Sequence, residues 1–304
     1  MKVLKNILNL IIYGAVITFL FINFDAITYR LANILISEPN VVIHESNYYS
    51  HENSFIFVQQ TDDFTPYSKQ DLKNIFFSIL NSGWERFTFF CPRQYINCIR
   101  DVEAISSDNE ILSHINNFVA PFNSFHHLSV IFSESGEVTV EVNRLYDQEM
   151  INALNAQADD IILRIINSEM NKRDKILAIH DYIINFTTYD IEHETSAYRS
   201  NTAYGPLMQG KGICSGYTDA MAIFLNRFNI PNFKIASSGH IWNAVYLDGY
   251  WFHLDLTWND PVDVNNIHNQ ILLHTFFLIS TEELMDLNTG SHKFNPLFYR
   301  EMAR

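Results

Sequence analysis

Two alternating segments flank one dipeptide late in the chain. Ser238–Leu247 (SGHIWNAVYL) and Tyr250–Trp258 (YWFHLDLTW) each switch between apolar and polar residues, and Asp248-Gly249 lies between them. Asp-Gly between period-two segments is the strongest short-range hairpin signal, because the tight turn joining such strands needs positive φ at both loop residues. With these as the two loop residues, Leu247 faces Tyr250, Ala244 faces His253 and Trp242 faces Asp255. Side chains alternate with period two, so His240 shares a face with Trp242, and Asp255 becomes its diagonal neighbour. Such neighbours lie roughly 7–8 Å apart at the backbone, a gap that a His and an Asp side chain bridge. A one-residue bulge would reverse the parity. The hairpin therefore commits this part of the chain to an antiparallel sheet and brings an imidazole towards a carboxylate.

Upstream, Gly210-Lys211-Gly212-Ile213-Cys214-Ser215-Gly216-Tyr217 is a loop with two glycines that ends at a cysteine. From there Tyr217, Met221, Phe224, Leu225 and Phe228 recur at helical spacing, and Asn229 and Pro231 stop the helix. Cys214 thus opens a mostly buried helix, where the dipole and the free backbone N–H groups favour a thiolate and could hold an oxyanion. A lone cysteine is more often a small buried hydrophobe; the His240–Asp255 pairing shifts the weight. Cys214 would be the nucleophile, His240 would take and return its proton, and Asp255 would hold the imidazole tautomer. His253 is a rival, since His253-x-Asp255 resembles a metal pair, but no fixed-spacing set of further ligands accompanies it. Asp260 reads as a turn residue, and Gln209 is a weak candidate oxyanion donor.

The rest of the chain sets the context. From Asn6 to Phe24 no residue is charged, a run about as long as the roughly 20 residues a membrane-spanning helix needs. No small-residue cleavage pattern follows it, and Lys2 and Lys5 precede it, so residues 1–36 read as a retained signal anchor with the body outside the cytoplasm. All 34 acidic residues lie beyond Phe24, against 20 basic ones in the whole chain. A body so acidic argues against nucleic acid, whose phosphates reward clustered Lys and Arg.

Residues 37–146 read as a small α+β domain: strands at Ser54–Gln60 and Arg86–Cys91, helices at Ser68–Leu80 and Asn109–Phe118, and a hairpin of Leu128–Phe132 with Glu137–Asn143. It shows no catalytic pattern. Cys91 and Cys98 suit either a disulfide or two separate thiols, and His126-His127 read as surface histidines. From Asp147 an isoleucine-rich helical stripe runs to Ile184, broken in two by Asn171-Lys172-Arg173-Asp174. Residues 147–304 form the candidate catalytic domain.

At these residues the sequence resembles the transglutaminase-like superfamily, in its bacterial extracytoplasmic branch. The resemblance is carried by Gly212-Ile213-Cys214-Ser215-Gly216-Tyr217, Gly239-His240-Ile241-Trp242-Asn243 and Asp255-Leu256-Thr257-Trp258-Asn259-Asp260-Pro261, with a lead-in of His180, Asp181, Tyr182 and Tyr189, and spans about 172–287. It implies a papain-like α+β core, with the cysteine on a central helix packed on an antiparallel sheet bearing His and Asp, and a triad of Cys214, His240 and Asp255. It implies a thiol acyl-transfer enzyme acting on peptide or protein amide bonds, as peptidase, amidase or amine-accepting transglutaminase. A membrane-tethered binding module of the same fold without turnover is the alternative. No cofactor and no metal is expected; the animal enzymes often need calcium, but no motif here assigns calcium ligands.

Overall fold

The computed structural model describes residues 2–24, 41–50, 54–133, 135–261 and 271–303, with side chains from residue 12 onward. The chain divides into two compact units, Met1–Val42 and Ile43–Arg304.

In the first unit, α1 (Lys2–Ile22) is a helix whose described apolar side chains, Phe19, Phe21 and Ile22 among them, are exposed. Thr18 returns its hydroxyl to the Gly14 carbonyl at 2.8 Å, satisfying its polar group within the helix. Among the described residues no helix is long and apolar enough to cross a membrane. Of the anchor expected over residues 1–36, residues 2–24 are described and residues 25–36 lie outside the described residues.

The second unit begins with an irregular segment where a strand was expected. Residues 54–60 pair with no neighbouring strand because side chains satisfy the backbone instead. Ile56 N–H donates to Glu301, Gln59 N–H to Asn74 and Thr61 N–H to Ser78, while Phe55, Phe57 and Val58 turn inward. The apolar content of SFIFVQQ thus reports burial, not extension.

The next elements follow the sequence more closely. In α2 (Lys69–Ser82), Ser68 caps the N-terminus by accepting from Asp71 N, and Leu72, Ile75, Phe76 and Ile79 are buried. Strand β1 (Arg86–Phe90) is followed by α3 (Cys98–Ser106), which sequence periodicity did not announce, and α4 (Asn109–Asn116). A disulfide joins Cys91 to Cys98 across the intervening turn, leaving Cys214 as the free cysteine. Strands β2 (Phe125–Phe132) and β3 (Glu137–Arg144) complete an antiparallel sheet of order β1-β3-β2. His126 and His127 are both exposed, beside a bulge at the start of β2.

Two helices lead to the site. Asp147 caps α5 (Gln148–Ile165), and Asn171 with Asp174 forms a capping box on α6 (Lys172–Phe186), so the isoleucine stripe breaks where its caps demand. Short strands β4 (Thr188–Tyr189) and β5 (Lys211–Gly212) pair in parallel, and α7 (Cys214–Arg227) follows at once. Beyond it β6 (Asn232–Ser237), β7 (His240–Leu247), β8 (Tyr250–Leu254) and β9 (Phe277–Ile279) form a four-stranded antiparallel sheet in sequential order.

Leu247 faces Tyr250 and Ala244 faces His253, the register that the Asp248-Gly249 turn predicts. Both turn residues have positive φ, 52° and 93°. The ladder stops one pair short of the expected Trp242–Asp255 match, at Asn243 opposite Leu254. Asp255 has left the strand to cap a four-residue helix, α8 (Leu256–Asn259), so the second strand does not reach Trp258. The cause is local: the Asp255 carboxylate accepts from Trp258 N, which favours a helical turn over further pairing.

One core cluster unites these layers. Ile151, Leu154 and Ile161 of α5 and Ile176, Ile179 and Ile183 of α6 pack with Tyr217, Met221, Phe224 and Leu225 of α7, and with Val245, Leu247 and Leu254 of the sheet. Each fully buried side chain of this size contributes roughly 1.5–3 kcal/mol. A buried ion pair stiffens the arrangement: Lys234 Nζ lies 3.0 Å from Asp219 Oδ1, and the Tyr146 hydroxyl donates to Asp219 Oδ2. Helix α7 is thereby fixed from both sides.

Candidate active site

Cys214 is the first residue of α7, and the chain approaches it through a crowded loop. A Cβ added at Gly216 would lie 2.2 Å from the Ser200 carbonyl oxygen, and one at Gly212 would meet Pro206 and Tyr217. Only glycine lets the 200–206 segment pack against the start of the helix. The first-turn N–H groups of α7 have no partners within the helix, and Cys214, which opens that turn, is half-buried.

His240 opens β7, with its Nε2 2.5 Å from Asp255 Oδ2. Burial alone would lower the His240 pKa, but the hydrogen-bonded Asp255 carboxylate and the neighbouring Cys214 raise it to about 9. Nε2 is engaged by Asp255, which leaves Nδ1 as the ring nitrogen available to other groups. The structure therefore joins His240 to Asp255 directly, with Cys214 near enough to act on the ring.

Asp255 is almost wholly buried. Burial would raise its pKa, but hydrogen bonds from two imidazoles outweigh that and hold it below the usual carboxylate value. The second imidazole is His292, whose Nε2 lies 2.8 Å from the same Oδ2. His292 was missed from sequence. It sits in a short 3-10 turn (Gly290–His292), 37 residues past Asp255, with no periodicity or spaced motif to mark it.

Tyr189 belongs to the short ladder that leads into Cys214. It pairs with Gly212 across the β4–β5 ladder, two residues before Cys214. Burial, and then the negative charge of Cys214, raise its phenol pKa. Gln209, the weak sequence candidate, is exposed and accepts from Arg199 N, so it serves the loop. Asp260 is buried under the Tyr217 hydroxyl at 2.5 Å, and burial raises its pKa to about 6.

His253 is engaged at both ring nitrogens. Nδ1 accepts from Trp242 Nε1 at 2.9 Å, and Nε2 meets the Thr281 hydroxyl at 3.1 Å. Burial lowers its pKa to about 3. It is a structural histidine bridging β7, β8 and the helix α9 (Thr281–Asp286).

Two groups of side chains among the described residues converge closely enough to invite a metal ion. One is His240, Asp255 and His292, where a carboxylate oxygen can only accept and both imidazoles donate to it. The other is His180, Asp181 and His274, outside the expected site. There Phe276 N–H fixes the Asn259 amide, whose Nδ2 donates to His180 Nε2 at 2.9 Å. His180 Nδ1 must then carry the proton it gives Asp181 at 2.7 Å, leaving no lone pair for a metal there. Burial lowers the His180 pKa to about 4, consistent with a neutral ring.

Residues 159–256 match the sequence profile of the transglutaminase-like superfamily, a segment that contains Cys214, His240 and Asp255 but ends before His292. No curated protein matches the chain. Among solved structures, one described as a TGase is similar over 44% of this chain and 44% of its own, at 18% identity and a TM-score of 0.33. A second, named as a candidate cysteine protease from Cytophaga hutchinsonii, is similar over 48% of this chain and 65% of its own, at 14% identity and a TM-score of 0.28.

Proposed function

With residues 159–256 placed in the transglutaminase-like superfamily, we propose that this chain is a thiol acyl-transfer enzyme acting on peptide or protein amide bonds through Cys214, His240 and Asp255. The observation that carries it is the buried His240–Asp255 hydrogen bond, which with the neighbouring Cys214 raises the imidazole pKa to about 9. An imidazolium held beside a cysteine can serve as the general acid for a sulfur nucleophile.

The steps follow from the atoms present. The Cys214 sulfur attacks the amide carbon, a C–S bond forms and the carbonyl π pair moves onto oxygen. The first-turn N–H groups of α7, without partners inside the helix, would receive that oxyanion. The oxyanion collapses, the C–N bond breaks, and the His240 Nδ1 proton goes to the departing nitrogen, leaving a thioester and an amine. Water or a second amine then attacks the thioester and gives its proton to His240. The C–S bond breaks, returning the electron pair to sulfur. Asp255 stays ionised throughout and fixes the imidazole. Water as acceptor gives a peptidase or amidase, and an amine gives a cross-link; we favour hydrolysis.

We place the reaction outside the cytoplasm, with the N-terminal run as a membrane tether. The charge-free stretch from Asn6 to Phe24 supports this, as does the Cys91–Cys98 disulfide, since such bonds persist in oxidising compartments.

Treating the full chain and Cys214→Ala with iodoacetamide, and assaying amide hydrolysis and amine incorporation on peptides, tests the proposal. Cys214 should label at least tenfold faster than free cysteine at pH 7, and one of the two turnovers should appear and vanish in the variant. Labelling no faster than free cysteine with both assays silent would leave a binding module of the same fold.

A further inference from the structure

Asp255 receives two imidazoles on one oxygen, and only one of them belongs to the matched segment. We propose that His292 is a positioning residue of this site, holding Asp255 as an oriented anion so that the working unit is Cys214–His240–Asp255–His292. The inference rests on the acyl-transfer reading and adds a member to it.

The hydrogen bonds fix the donors on the carboxylate. Asp255 Oδ1 accepts from Trp258 N at 3.1 Å, and Oδ2 accepts from His240 Nε2 at 2.5 Å and His292 Nε2 at 2.8 Å. A carboxylate has no proton to give, so His292 presents Nε2–H to it. Its other nitrogen, Nδ1, meets the Thr289 hydroxyl at 2.6 Å, which anchors the ring. His292 thus donates to the same oxygen that His240 uses.

The ring is also held in place. Phe276 stacks on it at 4.9 Å and 12°, while Trp242 and Trp258 meet it edge-on at 4.9 and 4.8 Å. His240 itself stands at 5.2 Å and 81°. An aromatic box of this kind would accept a phenyl ring; the imidazole adds one N–H aimed at a buried anion. That matters because His240 changes charge during turnover. When His240 becomes neutral its pull on Asp255 weakens, and a carboxylate nearly without solvent would then carry its charge poorly. The His292 donor persists in both states.

The test uses the full chain and three variants, reading the second-order rate of Cys214 alkylation by iodoacetamide from pH 5 to 10 alongside thermal unfolding. His292→Phe keeps the stacking and removes the donor. It should fold, label at least tenfold more slowly at pH 7, and shift the acid limb of the rate profile upward. His292→Gln places an amide N–H near the Nε2 position and should stay within threefold of wild type. His292→Asn reaches only the Nδ1 position and should fall at least tenfold. A wild-type rate and profile in His292→Phe would overturn the proposal. If His292→Phe does not fold, equal rates in the Gln and Asn variants would overturn it, and the predicted split would uphold it. A wild-type Cys214 no more reactive than free cysteine would instead sink the acyl-transfer reading, whatever the variants do.

Discussion

At His240 two opposing effects meet, and the outcome sets the working pH. Burial disfavours the imidazolium, yet Asp255 and Cys214 raise its pKa to about 9. Catalysis that needs the protonated ring should hold through neutral pH and fall as pH rises through about 9; a rate profile of thioester formation against pH checks this. The same shift is a stability statement. Its contribution, on the order of 3 kcal/mol, is fully present below the unfolded value of about 6.5 and lost as pH rises through about 9. His180 and His253 behave oppositely. Burial lowers them to about 4 and about 3, so the stability tied to their neutral rings is present above about 6.5 and lost as pH falls towards those values. Asp260, raised to about 6, counters over part of that window, one proton against two. Denaturant midpoints should therefore drop between pH 6 and 4, and a flat profile would contradict this account. Cys214, His240 and Asp255 were legible because each sits in a local pattern: a helix start, a strand parity, a turn. His292 has no such pattern and is found only through packing.

Elements differ in how much of their cause is local. The β7–β8 hairpin was readable to the residue because Asp248 and Gly249 supply the backbone angles that the turn demands. Residues 54–60 were misread because their partners, Glu301, Asn74 and Gln70, lie on other elements that composition does not reveal. The same parity logic failed by one residue at Asp255, where a capping bond beat one more ladder pair. The start of α7 gives the sharpest test at this scale. Gly216→Ala drives a methyl group against the Ser200 and Thr202 carbonyl oxygens, which belong to backbone and cannot swing aside. The variant should lose about 2–3 kcal/mol in chemical denaturation and slow Cys214 labelling severalfold, because the helix must move to make room.

At the scale of the whole molecule, the disulfide closes a loop of only seven residues. A cross-link that short constrains the unfolded chain modestly, worth about 2 kcal/mol. Cys91→Ser with Cys98→Ser should lower stability by about that amount and leave Cys214 reactivity unchanged; a loss of reactivity would mean that the two sheets communicate.

Among the described residues the hydrogen bond from Ile56 N–H to Glu301 reaches across 245 residues, with Phe57 packed edge-on against Phe298. During synthesis, Ile56 therefore waits for those residues before this partner exists. Contacts so remote carry a large loop-closure cost and slow the final assembly. The same timing reaches the thiol. Thr289 and His292 are made after Cys214 and His240, so a nascent chain that already shows the thiol and its imidazole still lacks part of what seats Asp255. A reactive cysteine would thus be kept idle until the segment carrying His292 has folded onto it.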